Sequence, residues 1–126
     1  MKRVVDTSVL IDHLRGDAAA VALLRQAVLD GDELWSVTVV RTEILAGMRK
    51  AEEVPTLRLL DALGWQTVSI ALADRAGMLA SRYLRSHPGV DTVDYLVAAT
   101  ALELGADLWT CNVKHFPMFP TLERPY

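Results

Sequence analysis

Apolar positions along the chain alternate between short β-branched or aromatic runs and longer stretches with helical spacing. Arg3-Val4-Val5 is a strand-like run, and Asp6-Thr7-Ser8 behind it are helix-capping residue types. Asp17 to Leu29 reads as a helix with Val21, Leu24 and Val28 on one face. Leu34-Trp35-Ser36-Val37 is a candidate strand; Thr38 then caps a helix running to about Lys50. A short helix follows over Pro55 to Leu63, stopped by Gly64. Gln66-Thr67-Val68-Ser69-Ile70 alternates like a strand, and Leu72, Ala76, Leu79 and Tyr83 mark a long helix ending near His87-Pro88-Gly89. Asp91 to Leu104 is a mostly apolar helix stopped by Gly105, and Leu108 to Cys111 is a buried strand with the turn residue Asn112 behind it. Strands alternating with helices predict an α/β layered fold with a mainly parallel sheet and right-handed crossovers.

The 126 residues carry 52% hydrophobic and 23% charged side chains, enough for one packed core and too apolar for a disordered chain. No repeat or linker divides them, so residues 1–126 are expected to form a single domain. The net charge of −3 excludes a wholly basic nucleic-acid sleeve and leaves room for a local basic patch. Cys111 is the one cysteine, which excludes a disulfide framework and a multi-thiolate zinc site, and fits a reducing cytosol. Asp6 and Asp12 interrupt the apolar stretch near the start, and Thr100, Glu103 and Asp107 interrupt the segment from Tyr95 to Leu108. Neither resembles a secretory signal or a membrane span, so a soluble protein is expected.

In open α/β sheets ligands bind beyond the carboxyl ends of the strands, which singles out Asp6 and Asn112. Asp6 alone reads as a helix N-cap. Glu43 falls between Val39 and Gly47 on the helical wheel, a carboxylate set in a face of apolar and small residues. Asp91 and Asp94 stand at a helix start, where an N-cap and a first-turn acid account for both without any function. Capping does not explain why Asp94 opens an apolar face through Val97, Ala98 and Ala101. Taken together, Asp6, Glu43 and Asp94 come from three segments that a parallel sheet brings to one edge. Carboxylates so held repel, raising the pKa of at least one, and a hard divalent cation relieves the conflict. Such a pocket suggests metal-assisted phosphodiester chemistry.

Four stretches in this order resemble the PIN domain, and within it the VapC toxins of bacterial toxin–antitoxin pairs. They are Val4 to Asp12, Thr42 to Gly47, Asp91 to Ala101 and Leu108 to Phe116. The resemblance implies a three-layer α/β/α fold and a Mg²⁺-dependent endoribonuclease, with Mn²⁺ as a possible substitute. In it Asp6, Glu43 and Asp94 match the three main acids, Asp91 matches a frequent additional one, and Thr7 matches a hydroxyl position. Asp6 and Asp94 would hold the ion, and Glu43 would bind it or orient a ligated water. Asn112 and His115 stand where the family often has a fourth acid. The resemblance also implies a VapB-type antitoxin, a homodimer and an RNA substrate. Arg41, Arg49 and Lys50 near Glu43, and Lys114 behind Asn112, are candidate phosphate contacts, and His115 a candidate positioning residue.

Two rival readings exist. A phosphoacceptor receiver domain also has an acidic Mg²⁺ pocket, but it needs paired acids after the first strand, where Thr7-Ser8 stand, and an acceptor acid after a middle strand. A catalytically silent subunit of the same fold would bind partners only; the retained Asp6, Glu43 and Asp94 argue against it.

Overall fold

The computed structural model describes all 126 residues. Its centre is a four-stranded, all-parallel sheet in the order β3-β2-β1-β4. The strands are β1 (Lys2–Val5), β2 (Glu33–Val37), β3 (Gly64–Gln66) and β4 (Asp107–Trp109). Six helices flank it: α1 (Thr7–Leu14), α2 (Ala18–Leu29), α3 (Thr38–Ala46), α4 (Glu53–Asp61), α5 (Ile70–Tyr83) and α6 (Thr92–Leu104). This is the α/β/α arrangement expected from the alternation of elements.

The chain steps one way across the sheet from β1 to β3, then α5 and α6 carry it back over the sheet to β4. Right-handed crossovers in opposite directions cover opposite faces. The reversal leaves a switch point between β1 and β4, where the chain departs to opposite sides and a crevice opens at the carboxyl ends. β1 and β4 pair as Val4↔Leu108 and Val5↔Trp109, so Asp6 and Thr110 emerge side by side.

The core follows from burial on both faces of a parallel sheet. Val4, Val5, Val37 and Leu108 supply the strand side, with Val9, Leu10, Leu60, Leu72 and Phe116 packed around them. Helix α6 is the central helix: every residue from Asp94 to Ala101 is buried. Its apolar face therefore has no solvent side, which explains why periodicity along it is weak. Gly105 ends α6 in the left-handed region at φ 59°, which favours glycine.

Several expectations shift. On α2 the core face is Ala20, Leu24 and Ala27, whereas Val28 is 61% exposed. Thr38 is not the cap of α3: Val37 occupies that position without a side-chain bond. Helix α3 ends at Ala46 rather than Lys50, because the chain turns at Gly47 and re-forms as a 3₁₀ turn over Lys50–Glu52. Glu52 anchors that turn by accepting the Arg49 backbone N–H at 2.8 Å. Helix α4 then starts at Glu53, with Pro55 in its first turn where no N–H is needed. Strand β3 lies upstream of the 66–70 run. Ser69 accepts the Leu72 N–H at 3.1 Å and so caps α5, which removes Ser69 and Ile70 from the sheet. Likewise β4 stops at Trp109, and Thr110 and Cys111 turn into the crevice.

Gly64 is the position where the sheet allows no side chain: a Cβ there would meet the Trp35 indole at 2.7 Å. We expect Gly64→Ala to cost about 1–3 kcal/mol by overpacking. Urea unfolding should show a lower midpoint with an unchanged slope; an unchanged midpoint would refute the close approach.

Candidate active site

The switch point is an acidic cleft of about 430 Å³ whose walls carry Asp6, Asp12, Glu43, Asp91 and Asp94. Each acid arrives on a different structural device. Asp6 follows β1 and caps α1, its Oδ1 accepting the Thr7 N–H at 2.8 Å. Its Oδ2 accepts the Thr110 hydroxyl at 2.7 Å and the Ser8 hydroxyl at 3.4 Å. The first bond joins the ends of β1 and β4, and Ser8 ties the same turn by accepting the Cys111 N–H at 3.0 Å.

Asp91 and Asp94 form a reciprocal capping box at the start of α6. Asp91 Oδ1 accepts the Asp94 N–H at 3.0 Å, and Asp94 Oδ2 accepts the Asp91 N–H at 3.1 Å. His115 places Nδ1 at 3.1 Å from the same Asp94 Oδ2. The capping account of both acids is thus realised, and it engages one oxygen of Asp94 while the other has no protein partner.

Glu43 differs from its sequence reading. Its side chain is exposed rather than buried among small residues, and Oε1 accepts the Thr7 hydroxyl at 2.7 Å. The cost of burying charge therefore falls on Asp6 and Asp94, which are 3% and 7% exposed. Burial pushes the Asp6 carboxyl above its ordinary range despite the hydroxyl and amide donors around it. Burial likewise lifts Asp94 to about 6, with repulsion from Asp91 and Asp6 adding to it and the Asp91 N–H and His115 opposing it.

Of the residues singled out in the sequence, the cleft brings together Asp6, Thr7, Glu43, Asp91, Asp94, Asn112 and His115. It does not include Arg41, whose guanidinium lies over the Trp65 ring at 5.3 Å, away from the acids. Lys114 is in an adjoining recess with Arg124. Ser8, Asp12, Arg15, Thr110 and Cys111 were missed. A helical wheel begun at Asp6 finds most of them, because Ser8, Asp12 and Arg15 are spaced by four and three along α1 and its C-cap. Asp12 accepts the Tyr126 hydroxyl at 2.6 Å, a contact between the two ends of the sequence that no local pattern signals.

No three His, Cys, Asp or Glu side chains stand as a ready-made set of ligands for one ion. The acids share a cleft and not a closed cage. That donor set fits a hydrated hard cation, since Mg²⁺ keeps several waters and needs only one or two carboxylates. It does not fit an ion that requires three or four protein ligands.

The PIN-domain family model matches residues 3–117. The chain belongs to the PIN-domain family. It is 46% identical over 124 residues to Ribonuclease VapC19 of Mycobacterium tuberculosis, covering 98% of this chain and 99% of that protein. Among solved structures, a toxin–antitoxin complex from Klebsiella pneumoniae superposes with TM-score 0.76 at 25% identity, covering 98% of each chain. VapBC2 from Rickettsia felis, bound to a DNA fragment from its promoter, gives TM-score 0.77 at 19% identity over 97% of this chain and 96% of that one. The last likeness is one of fold alone.

The raised carboxyls fix a sign for pH dependence. Folded Asp94 holds its proton more tightly than the unfolded chain does, so its share of stability is complete below the ordinary carboxylate range and is lost as pH rises through about 6. Urea titrations of the metal-free protein should show Asp94→Asn gaining on the wild type between pH 4.5 and 7. Parallel pH profiles for the two proteins would contradict the shift.

Proposed function

We propose that this chain is the toxin of a VapBC-type pair, a divalent-metal-dependent endoribonuclease that hydrolyses RNA phosphodiester bonds. The observation that carries the reading is the convergence of Asp6, Glu43, Asp91 and Asp94 at the β1–β4 switch point. The 46% identity to a VapC ribonuclease across nearly the whole chain supports it. Mg²⁺ is the proposed cofactor, with Mn²⁺ as substitute.

Asp6 and Asp94 would hold the ion, because they are the most buried acids and the ones whose ionisation is most penalised. A bound divalent ion polarises the phosphate and lowers the pKa of the attacking water. The remaining work belongs to side chains of the protein. Thr110 and Ser8 fix the plane of the Asp6 carboxylate. His115 and the Asp91 N–H fix Asp94 through Oδ2, leaving Oδ1 for a ligand. Thr7 fixes Glu43 through Oε1, so that Oε2 is left to orient a water and accept its proton. Asp91 adds a carboxylate at the rim, and Asn112 offers an amide to substrate or to an ion-bound water.

A VapB-type antitoxin is the proposed protein partner, on the likeness to toxin–antitoxin complexes, and a homodimer is proposed with it. Leu57 and Val54 on α4 remain exposed, whereas Leu60 and Leu63 belong to the core. No helix is long and apolar enough to cross a membrane. With its single, unpaired cysteine the chain suits the cytoplasm, where we place it. The receiver reading is disfavoured: β2 is followed by Thr38 and β3 by Thr67, so neither of these two strands presents an acceptor carboxylate.

RNA cleavage should require Mg²⁺ or Mn²⁺ and stop in excess chelator. Asp6→Asn and Asp94→Asn should each lose at least about 10²-fold in rate while keeping a native circular dichroism spectrum. Full cleavage in chelator, or by Asp94→Asn, would sink the proposal, and inactivity of the folded wild type under every metal would favour the silent subunit.

A further inference from the structure

The acidic cleft does not stand alone, and its surroundings bear on how an anionic polymer could reach it. Two recesses adjoin it, each sharing a different set of its lining residues. One, about 290 Å³, lies between α1 and the C-terminal end of α3 and shares Ile11, Arg15 and Glu43 with the cleft. The other, about 360 Å³, shares Cys111, Asn112 and His115 with the cleft and carries Lys114 and Arg124. Five carboxylates in the middle repel phosphate, so binding must come from the flanks. The flanks carry Arg15 and Arg49 on one side and Lys114 and Arg124 on the other. None of these four takes part in an ion pair; the pairs in the structure use Arg3, Arg75, His115 and the N-terminal amine.

The two flanks differ in character. The recess beside α1 has apolar side chains from Leu14, Ile44 and Met48, two guanidinium groups, and the Glu43 and Glu52 carboxylates, so it carries no net charge of its own. A recess that combines apolar side chains, guanidinium groups and carboxylates suits an unstacked nucleobase, which stacks on the first two and hydrogen-bonds to the charged edge. The recess beside Lys114 offers cations and the exposed Asn112 amide, which suits backbone phosphate.

We propose that single-stranded RNA crosses this face on a track of three recesses, with one base seated between α1 and α3 and the backbone held beyond the cleft by Lys114 and Arg124. The proposal rests on the nuclease reading for its substrate and adds to it the path and the base seat. A duplex is disfavoured as substrate, because its bases are stacked and cannot enter the slot. The seat makes cleavage prefer certain bases at one position beside the broken bond, and the cationic side sets affinity without sequence preference.

Two measurements on the full chain separate the parts. The first sequences the cut ends from a randomised single-stranded RNA pool. Met48→Ala and Arg49→Ala should each weaken base preference at one flanking position by about tenfold. Arg49 is exposed, so its variant keeps the test valid if Met48→Ala folds poorly. The second measures binding of a fluorescent single-stranded RNA in excess chelator across salt concentrations. Lys114→Ala and Arg124→Ala should weaken binding several-fold, lower the salt slope by about 0.7 for each lost phosphate contact, and leave the base preference as it was. Cleavage with unaltered preference and unaltered binding in all four variants overturns the track and leaves the nuclease reading standing. RNA bound in a Lys114- and Arg124-dependent way but cut under no metal overturns the nuclease reading and supports the track. Slot variants that weaken only a protein partner, with RNA selection intact, assign the slot to that partner and overturn the base seat.

Discussion

Like charges gathered in a partly dry crevice govern this molecule. Asp6 and Asp94 are almost fully buried, and each is disfavoured in its charged form by the loss of water. Neither faces a Lys or Arg partner; Asp94 instead has the His115 imidazole, with Nδ1 at 3.1 Å from Oδ2. A fold optimised for stability alone would place apolar groups or an ion pair here. That conflict is what the proposed divalent cation would relieve.

The scaffold makes that conflict sustainable by rigid positioning. Two parallel strands leave the sheet side by side, and the Thr110 hydroxyl closes the gap by bonding Asp6. Helix α6 runs through the centre of the protein, and its first turn presents Asp91 and Asp94 with their backbone bonds already satisfied. Both α1 and α6 begin at the crevice, so their N-terminal dipoles partly offset the accumulated negative charge. Asp6, Asp91 and Asp94 therefore sit on element ends fixed by the core, and Glu43 stands on an exposed helix face where a water can reach it.

Much of this was legible in the residues, for reasons that can be stated. The strand-then-acid pattern of Val4-Val5-Asp6 and the capping pattern of Asp91 and Asp94 are local, so sequence displays them directly. The Glu43 position was found, but its burial was misjudged, because a helical wheel does not tell which small-residue face meets a neighbour and which lines open space. Arg41 was assigned to the site by proximity to Glu43 along the chain; on α3 it points instead to Trp65. The shifted β3 shows a different limit. Alternation over residues 66–70 resembled a strand until Ser69 claimed the helix cap, a choice set by pairing with β2. Asp12 and Tyr126 meet across nearly the full chain length, and only the folded structure joins them.

The most direct test of the charge conflict is proton release on metal binding. Calorimetric titration of Mn²⁺ into the metal-free protein at pH 6, repeated in two buffers of different ionisation enthalpy, counts the protons displaced. With Asp94 titrating at about 6, binding at that pH should release a fraction of a proton, and Asp94→Asn should bind more weakly and release less. Binding of equal strength in both proteins with no proton released would contradict the account.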